Sequence, residues 1–121
     1  MTPKPRDRRL RRRADFDRVF QRGRHNSGRF MAVRSIANEQ TLTRYAFAVS
    51  KRVGKAVTRN RVRRRLREIL RALPVRESFD IVLTVRPESA TATFQELKTE
   101  LELLLNRAKL LEAPDSPPES S

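Results

Sequence analysis

The sequence predicts an α+β domain: two layers in the order α, β, β (or βββ), α, β, α, with helices packed on one side of a four-stranded sheet. Three observations predict it. Apolar residues recur at helical spacing in residues 58–73 and 93–111. Short alternating or β-branched runs occupy 29–37, 44–54 and 79–86. The chain has 121 residues, enough for one modest core and not for two.

In order, residues 1–9 (MTPKPRDRR) carry two prolines and no apolar period, so they read as a mobile basic arm before a single domain of residues 10–111. The stretch ADFDRVFQR (14–22) reads as a short helix, with Phe16 and Phe20 four apart, Val19 beside them and Gly23 placed to stop it. GRHNSG (23–28) reads as a turn-rich connection. RFMAVRSIA (29–37) and RYAFAVSKRVG (44–54) read as strands, and the short NEQT loop between them predicts an antiparallel pair. Whether the first is one strand or two stays open.

From Thr58 to Leu73 the residues Val62, Leu66, Ile69, Leu70 and Leu73 form one helical face, and Pro74 ends the helix. Asn60, Arg64, Arg67 and Arg71 fall on the opposite face, with Arg61 and Arg65 on one flank and Arg63 on the other. FDIVLTVR (79–86) is the most apolar run and reads as a strand buried on both faces. Thr93-Phe94-Gln95-Glu96 has the capping-box pattern of a helix start, and Phe94, Leu97, Leu101, Leu104, Leu105, Ala108 and Leu111 follow on one face. The acidic, proline-rich end, residues 112–121, is expected to be disordered.

The charge is lopsided. Residues 1–76 carry 24 basic and 5 acidic side chains, and residues 77–121 carry 4 and 9, so a body near +19 precedes an end near −5. Within 51–71 alone, ten Lys or Arg face one acid, Glu68. Such a run has almost no i, i+4 ion-pair support, one acid for ten cations, and repels itself, which points to a polyanionic partner: nucleic acid first, an anionic membrane surface second. Arginine outnumbers lysine 23 to 5, and its planar fork suits phosphate. With no cysteine there is no disulfide, zinc-thiolate site or thiol nucleophile. No apolar run approaches a membrane span, and the basic N-terminus has no apolar segment behind it, so a cytoplasmic protein is expected.

Catalytic constellations are scarce. His25 is the single histidine and falls in a turn, and Asp7, Asp15, Asp17 and Glu68 are scattered among arginines with which they are expected to pair. Phosphate-loop, HExxH and GxSxG motifs are absent, so neither a catalytic residue nor a metal site is assigned. Phe16 and Phe20 have two readings: a core pair, or a platform for unpaired bases beside the basic arm.

SKRVGKAVTRNRVRRRLRE (50–68), with Arg59-Asn60-Arg61 at its centre, resembles the signature of the protein subunit of bacterial ribonuclease P. RRRADFDRVFQRG (11–23) is similar to that family's first helix, and FDIVLTVRP (79–87) and the Leu-rich last helix also fit. The resemblance implies an αβββαβα domain that binds a large catalytic RNA and helps it remove the 5′ leader of precursor tRNA. By the same resemblance the RNA and its magnesium ions perform the hydrolysis, and no obligatory protein partner or membrane is involved. Lys51, Arg52, Lys55, Arg59, Asn60, Arg61, Arg63, Arg64, Arg67 and Arg71 are then expected to meet the RNA subunit. Phe16, Phe20 and Arg34 are expected in a cleft for the leader. Where many relatives have an aromatic or large apolar residue on the cleft-facing strand, this chain has Ala32 and Arg34. The alternative is a ribosomal-type or RNA-chaperone protein with no part in cleavage.

Overall fold

A computed structural model describes residues 8–112. The elements are α1 (Arg13–Arg22), β1 (Arg24–Ser27), β2 (Met31–Ala37), β3 (Arg44–Val49), α2 (Ala56–Ala72), β4 (Phe79–Val85) and α3 (Phe94–Arg107), with 3₁₀ turns at Lys51–Val53 and Pro87–Thr91. The α+β class, the αβββαβα order and the four-stranded sheet are as expected. The expected tail and residues 1–7 of the expected arm lie outside the described residues. Arg8 and Arg9, the arm's last two residues, lie along the edge of β3: Tyr45 N–H donates to the Arg8 carbonyl at 2.6 Å, and Leu10 N–H to the Tyr45 carbonyl at 2.8 Å.

Three details correct the sequence reading. The turn-rich stretch 23–28 contains β1, which pairs antiparallel with β2 from Arg24 opposite Ser35 to Ser27 opposite Ala32. This strand was hidden because Arg24, His25 and Ser27 are exposed, so it exists through pairing and carries no apolar alternation. Glu100 of α3 fixes the turn that follows, accepting from the backbone N–H groups of Arg29 and Phe30 at 2.8 Å and Met31 at 3.0 Å. A Cβ at Gly28 would fall 2.5 Å from the Glu100 carboxyl carbon and press that side chain away from these amides.

Second, β2 and β3 do not form a hairpin. The sheet order is β1-β2-β4-β3, with β4 antiparallel to β2 and parallel to β3. β4 takes the centre because it is apolar on both faces: Ile81, Leu83 and Val85 turn one way and Val82 the other. The connection before β3 therefore crosses the start of β4 and is stitched to it; Asn38 N–H donates to the Ser78 carbonyl at 2.8 Å, and Phe79 N–H to Thr43 Oγ1 at 3.1 Å.

Third, the helices divide between the two faces. α2 and α3 cover the larger core, where Leu66, Ile69 and Leu101 meet Val33, Ile81 and Leu83. α1 lies on the reverse face, where Val19, Leu10 and Val82 form a small apolar cluster joined by half-buried Phe16, Ile36 and Ala46. The expectation of all helices on one side fails because β4 and its neighbours leave an apolar patch on that reverse face. Gly23 lets α1 leave it tightly: a Cβ would sit 2.4 Å from the Val19 carbonyl oxygen and 2.7 Å from that of Ser35.

The capping box at α3 is present, with Glu96 N–H donating to Thr93 Oγ1 at 3.0 Å and Thr93 N–H to Glu96 Oε1 at 2.8 Å. α2 begins at Ala56, two residues earlier than its apolar period suggests. Tyr45, half-buried under α2, has its phenol pushed up to about 12 by burial. A raised folded pKa favours the neutral phenol, so this contribution is complete below about pH 10 and is lost as pH rises through about 12. Thermal melts across that window should show a smaller loss of stability for Tyr45→Phe than for the parent chain. Equal losses would remove Tyr45 as the cause.

Candidate nucleic-acid interface

α2 buries its apolar seam and leaves Asn60, Arg64, Arg67 and Arg71 exposed along the opposite face. Arg63 leans back, donating to Asn60 Oδ1 at 3.0 Å, so the asparagine orients a cation rather than merely interrupting a basic run. Lys51, Arg52 and Lys55 are exposed on the turn that enters the helix. Gly54 makes that turn with φ of 148°, a conformation other residues rarely adopt.

Two more of the sequence-predicted contacts are engaged within the domain. Arg59 Nε donates to the Gly54 carbonyl at 3.1 Å, and Arg61 donates to the Ala90 carbonyl at 3.0 Å. Arg65, on the same flank as Arg61, donates to the Ala92 carbonyl at 3.2 Å. The Arg61 and Arg65 bonds brace α2 against the 3₁₀ turn before α3, the Arg59 bond ties the helix to the turn that enters it, and the outward ridge is left to Asn60, Arg64, Arg67 and Arg71. No local pattern in the sequence announces the braces from Arg61 and Arg65, because their acceptors lie 29 and 27 residues away.

Phe16 and Phe20 share a helix and differ in environment. Phe16 packs against the small apolar cluster, while Phe20 is 48% exposed. Arg34 rises from β2 with its guanidinium carbon 4.6 Å from the Phe20 ring centroid, a cation–π contact. The three predicted cleft residues therefore do gather on the α1 face of the sheet, with Ala32 keeping the floor low beside Arg34.

A groove of about 780 Å³ runs over the edge of β3 and joins this face to the ridge. Phe16 lines it from one side, Arg63, Arg67 and Arg71 from the other, with Tyr45 and Phe47 between. The Arg67 guanidinium carbon lies 5.5 Å from the Phe47 ring centroid. Sequence reasoning did not single out Tyr45 and Phe47; their alternate positions in β3 were the available signal.

The described acids are largely committed elsewhere. Glu77 takes both Arg8 nitrogens, at 2.9 and 3.0 Å, and the hydrogen bond to Arg8 holds its carboxyl below the usual range. Asp80 takes two bonds from Arg44, at 2.9 and 2.8 Å, which hold the guanidinium pKa above its ordinary value. Asp17 lies 4.0 Å from Arg13, as its place among arginines suggested; Asp7 falls outside the described residues. Among the described residues, no three carboxylates or histidines gather where they could share a metal ion.

The family model described as Ribonuclease P matches residues 5–109. This chain belongs to the ribonuclease P protein family. A Ribonuclease P protein component from Dehalococcoides mccartyi is 38% identical over 103 residues, which cover 85% of this chain and 86% of that one. The solved ribonuclease P protein of Staphylococcus aureus superposes with a TM-score of 0.79 at 28% identity, covering 88% of this chain and 100% of that one. For the ribonuclease P protein of Thermotoga maritima the TM-score is 0.74 at 30% identity, covering 87% and 98%. The ribonuclease P match thus spans the basic ridge, the aromatic helix and the whole sheet.

Replacing Arg64 and Arg67 together with alanine should weaken RNA binding while leaving the fold intact, since both are exposed. The slope of log affinity against log salt should fall by roughly one unit for each phosphate no longer neutralised. Unchanged affinity and slope would remove the ridge from the interface.

Proposed function

We propose that this protein is the RNA-binding component of a ribonuclease P ribonucleoprotein that removes the 5′ leader from precursor tRNA in the cytoplasm. The α2 ridge and the turn before it face the RNA subunit, and the α1 face with Phe16, Phe20 and Arg34 receives the single-stranded leader. The observation that carries this is the pairing, on one small domain, of an arginine ridge with a half-exposed aromatic platform. Family membership favours this reading over a ribosomal-type or chaperone role.

Phosphate contacts supply sequence-independent affinity and register, while stacking on aromatic faces accepts any base. A leader of varied sequence calls for that division of labour. Hydrolysis is assigned to the RNA subunit with its magnesium ions. Among the described residues, the buried carboxylate is taken by Arg44 and Asn38, and no three acids or histidines group where they could share a magnesium ion. The protein's part is to bind, to orient the leader and to screen RNA–RNA repulsion with its own cations. None of the described helices is long and apolar enough to cross a membrane.

The purified, RNA-free protein is expected not to cleave precursor tRNA at any magnesium concentration. Added to its cognate RNA, it should lower the magnesium needed for cleavage at the leader junction. An RNA-free preparation that cuts at that junction would overturn the assignment of the chemistry to RNA.

A further inference from the structure

Asp80 is the only charged side chain among the described residues that is fully buried, with 0% exposure. A lone carboxylate in that position would be strongly unfavourable, so its partners matter. Arg44 donates from Nε at 2.9 Å and from its terminal nitrogen at 2.8 Å, and Asn38 donates from Nδ2 at 2.8 Å. These three bonds, all from the sheet and the loop beside it, satisfy the carboxylate. Two further charges then reach in from α1: Arg18 stands 3.6 Å from Asp80, and Asp15 stands 3.5 Å from Arg44.

Asp15 and Arg18 are three apart, hence on one face of α1, and each meets an opposite charge on the sheet. The separations are those of ion pairs rather than short hydrogen bonds. Arg18 keeps its place although its Nε is buried with no hydrogen-bond partner. Apolar contact alone holds this helix weakly: of its ten residues only Val19 is fully buried. The same helix carries Phe16 and Phe20.

We infer that Asp80 and Arg44, through Arg18 and Asp15, form a latch that sets the tilt and roll of α1, and so positions Phe16 and Phe20 over the sheet for leader binding. The inference rests on the proposed leader-binding role of those two rings. Arg18 and Asp15 act as positioning residues; they need not touch the RNA. The helix can rock on its single buried valine, and paired charges of fixed polarity at two points along it remove that freedom.

The test uses the protein assembled with its cognate RNA subunit. Arg18→Met severs the helix's tether to Asp80, keeps the aliphatic stem and leaves the Arg44–Asp80 pair intact, so the domain keeps its fold. Assembly with the RNA should be unchanged. The preference for precursor over mature tRNA should fall about fivefold or more, approaching that of the Phe16→Ala, Phe20→Ala double variant. Amide exchange should quicken in residues 13–22 and stay unchanged in α2 and α3. Arg18→Lys, which retains the charge, should recover most of the preference. Asp15→Asn, cutting the other tether, should shift it in the same direction by less.

Full preference and unchanged α1 exchange in Arg18→Met, alongside loss in the double phenylalanine variant, would overturn the latch. Equal weakening of precursor and mature tRNA would also overturn it, because Arg18 would then be a plain phosphate contact. If the double phenylalanine variant itself kept full preference, the leader-binding role would fall first, and the latch with it.

Discussion

Replacing Phe20 with alanine is expected to leave the domain folded and assembled with RNA but to weaken precursor tRNA relative to mature tRNA by ~1–3 kcal/mol, the worth of one base stack. The ring is 48% exposed and its near neighbour is a guanidinium, so the domain gives up little packing with it. Phe16→Ala behaves differently. Its ring is half-buried in the cluster of Leu10, Val19 and Val82, so the variant should melt earlier as well as bind the leader less tightly. The sequence offered core or platform as alternatives for the pair; in the structure Phe16 is half-buried in the small cluster and Phe20 is exposed. Melting each free variant before measuring tRNA affinity separates the effects. A Phe20→Ala variant with wild-type preference for precursor would remove that ring from the leader site.

Leu66→Ala should lower stability by ~2–5 kcal/mol, through reduced transfer free energy and the cavity left at the centre of the α2 seam. Leu66 is 1% exposed and sits in the main core, where α2, α3 and the sheet meet. For a domain of this size that is a fall of roughly 10–30 °C in melting temperature. RNA affinity measured below the new midpoint should be unchanged, because the ridge faces away from the seam. Arg64 and Arg67 should show the reverse, and the contrast within one helix is the sharpest check on its orientation. A destabilisation below about 1 kcal/mol for Leu66→Ala would mean the seam is not packed against the sheet.

α2 and α3 were legible because each carries a full apolar stripe at helical period and a signal at one end, Pro74 after α2 and Thr93-x-x-Glu96 before α3. The central strand was legible from FDIVLTV, where two-sided burial leaves no alternation. Strand order was not. A short link usually means a hairpin, and nothing local reveals that β4 arrives later to separate β2 from β3. β1 was missed because it is polar and held by its partner and by Glu100, 71 residues from the Arg29 amide it binds. At the interface, the exposed ridge followed from spacing alone. The inward use of Arg61 did not, since its acceptor is a backbone carbonyl 29 residues away; Arg59 turns to the Gly54 carbonyl five residues back, which no side-chain pattern marks.

The ends of the sheet bear on how the chain behaves before it meets RNA. An open strand edge offers unpaired backbone groups to any other copy, and stacking of copies edge to edge is a common route to aggregation. Here one edge is β1, four residues long, with Arg24 and His25 exposed on it. The other edge is β3, and the chain lays its own residues Arg8–Leu10 along its first half, clasped by Arg8 to Glu77. A protein of net charge +14 already resists self-association at low salt, but counterions screen that protection within about 8 Å at cellular ionic strength. A short charged strand on one side and a self-supplied strap on the other act at contact distance, where screening has no hold. Loss of the Arg8–Glu77 clasp would therefore be felt first as a tendency to precipitate in salt, in preparations that hold protein without its RNA.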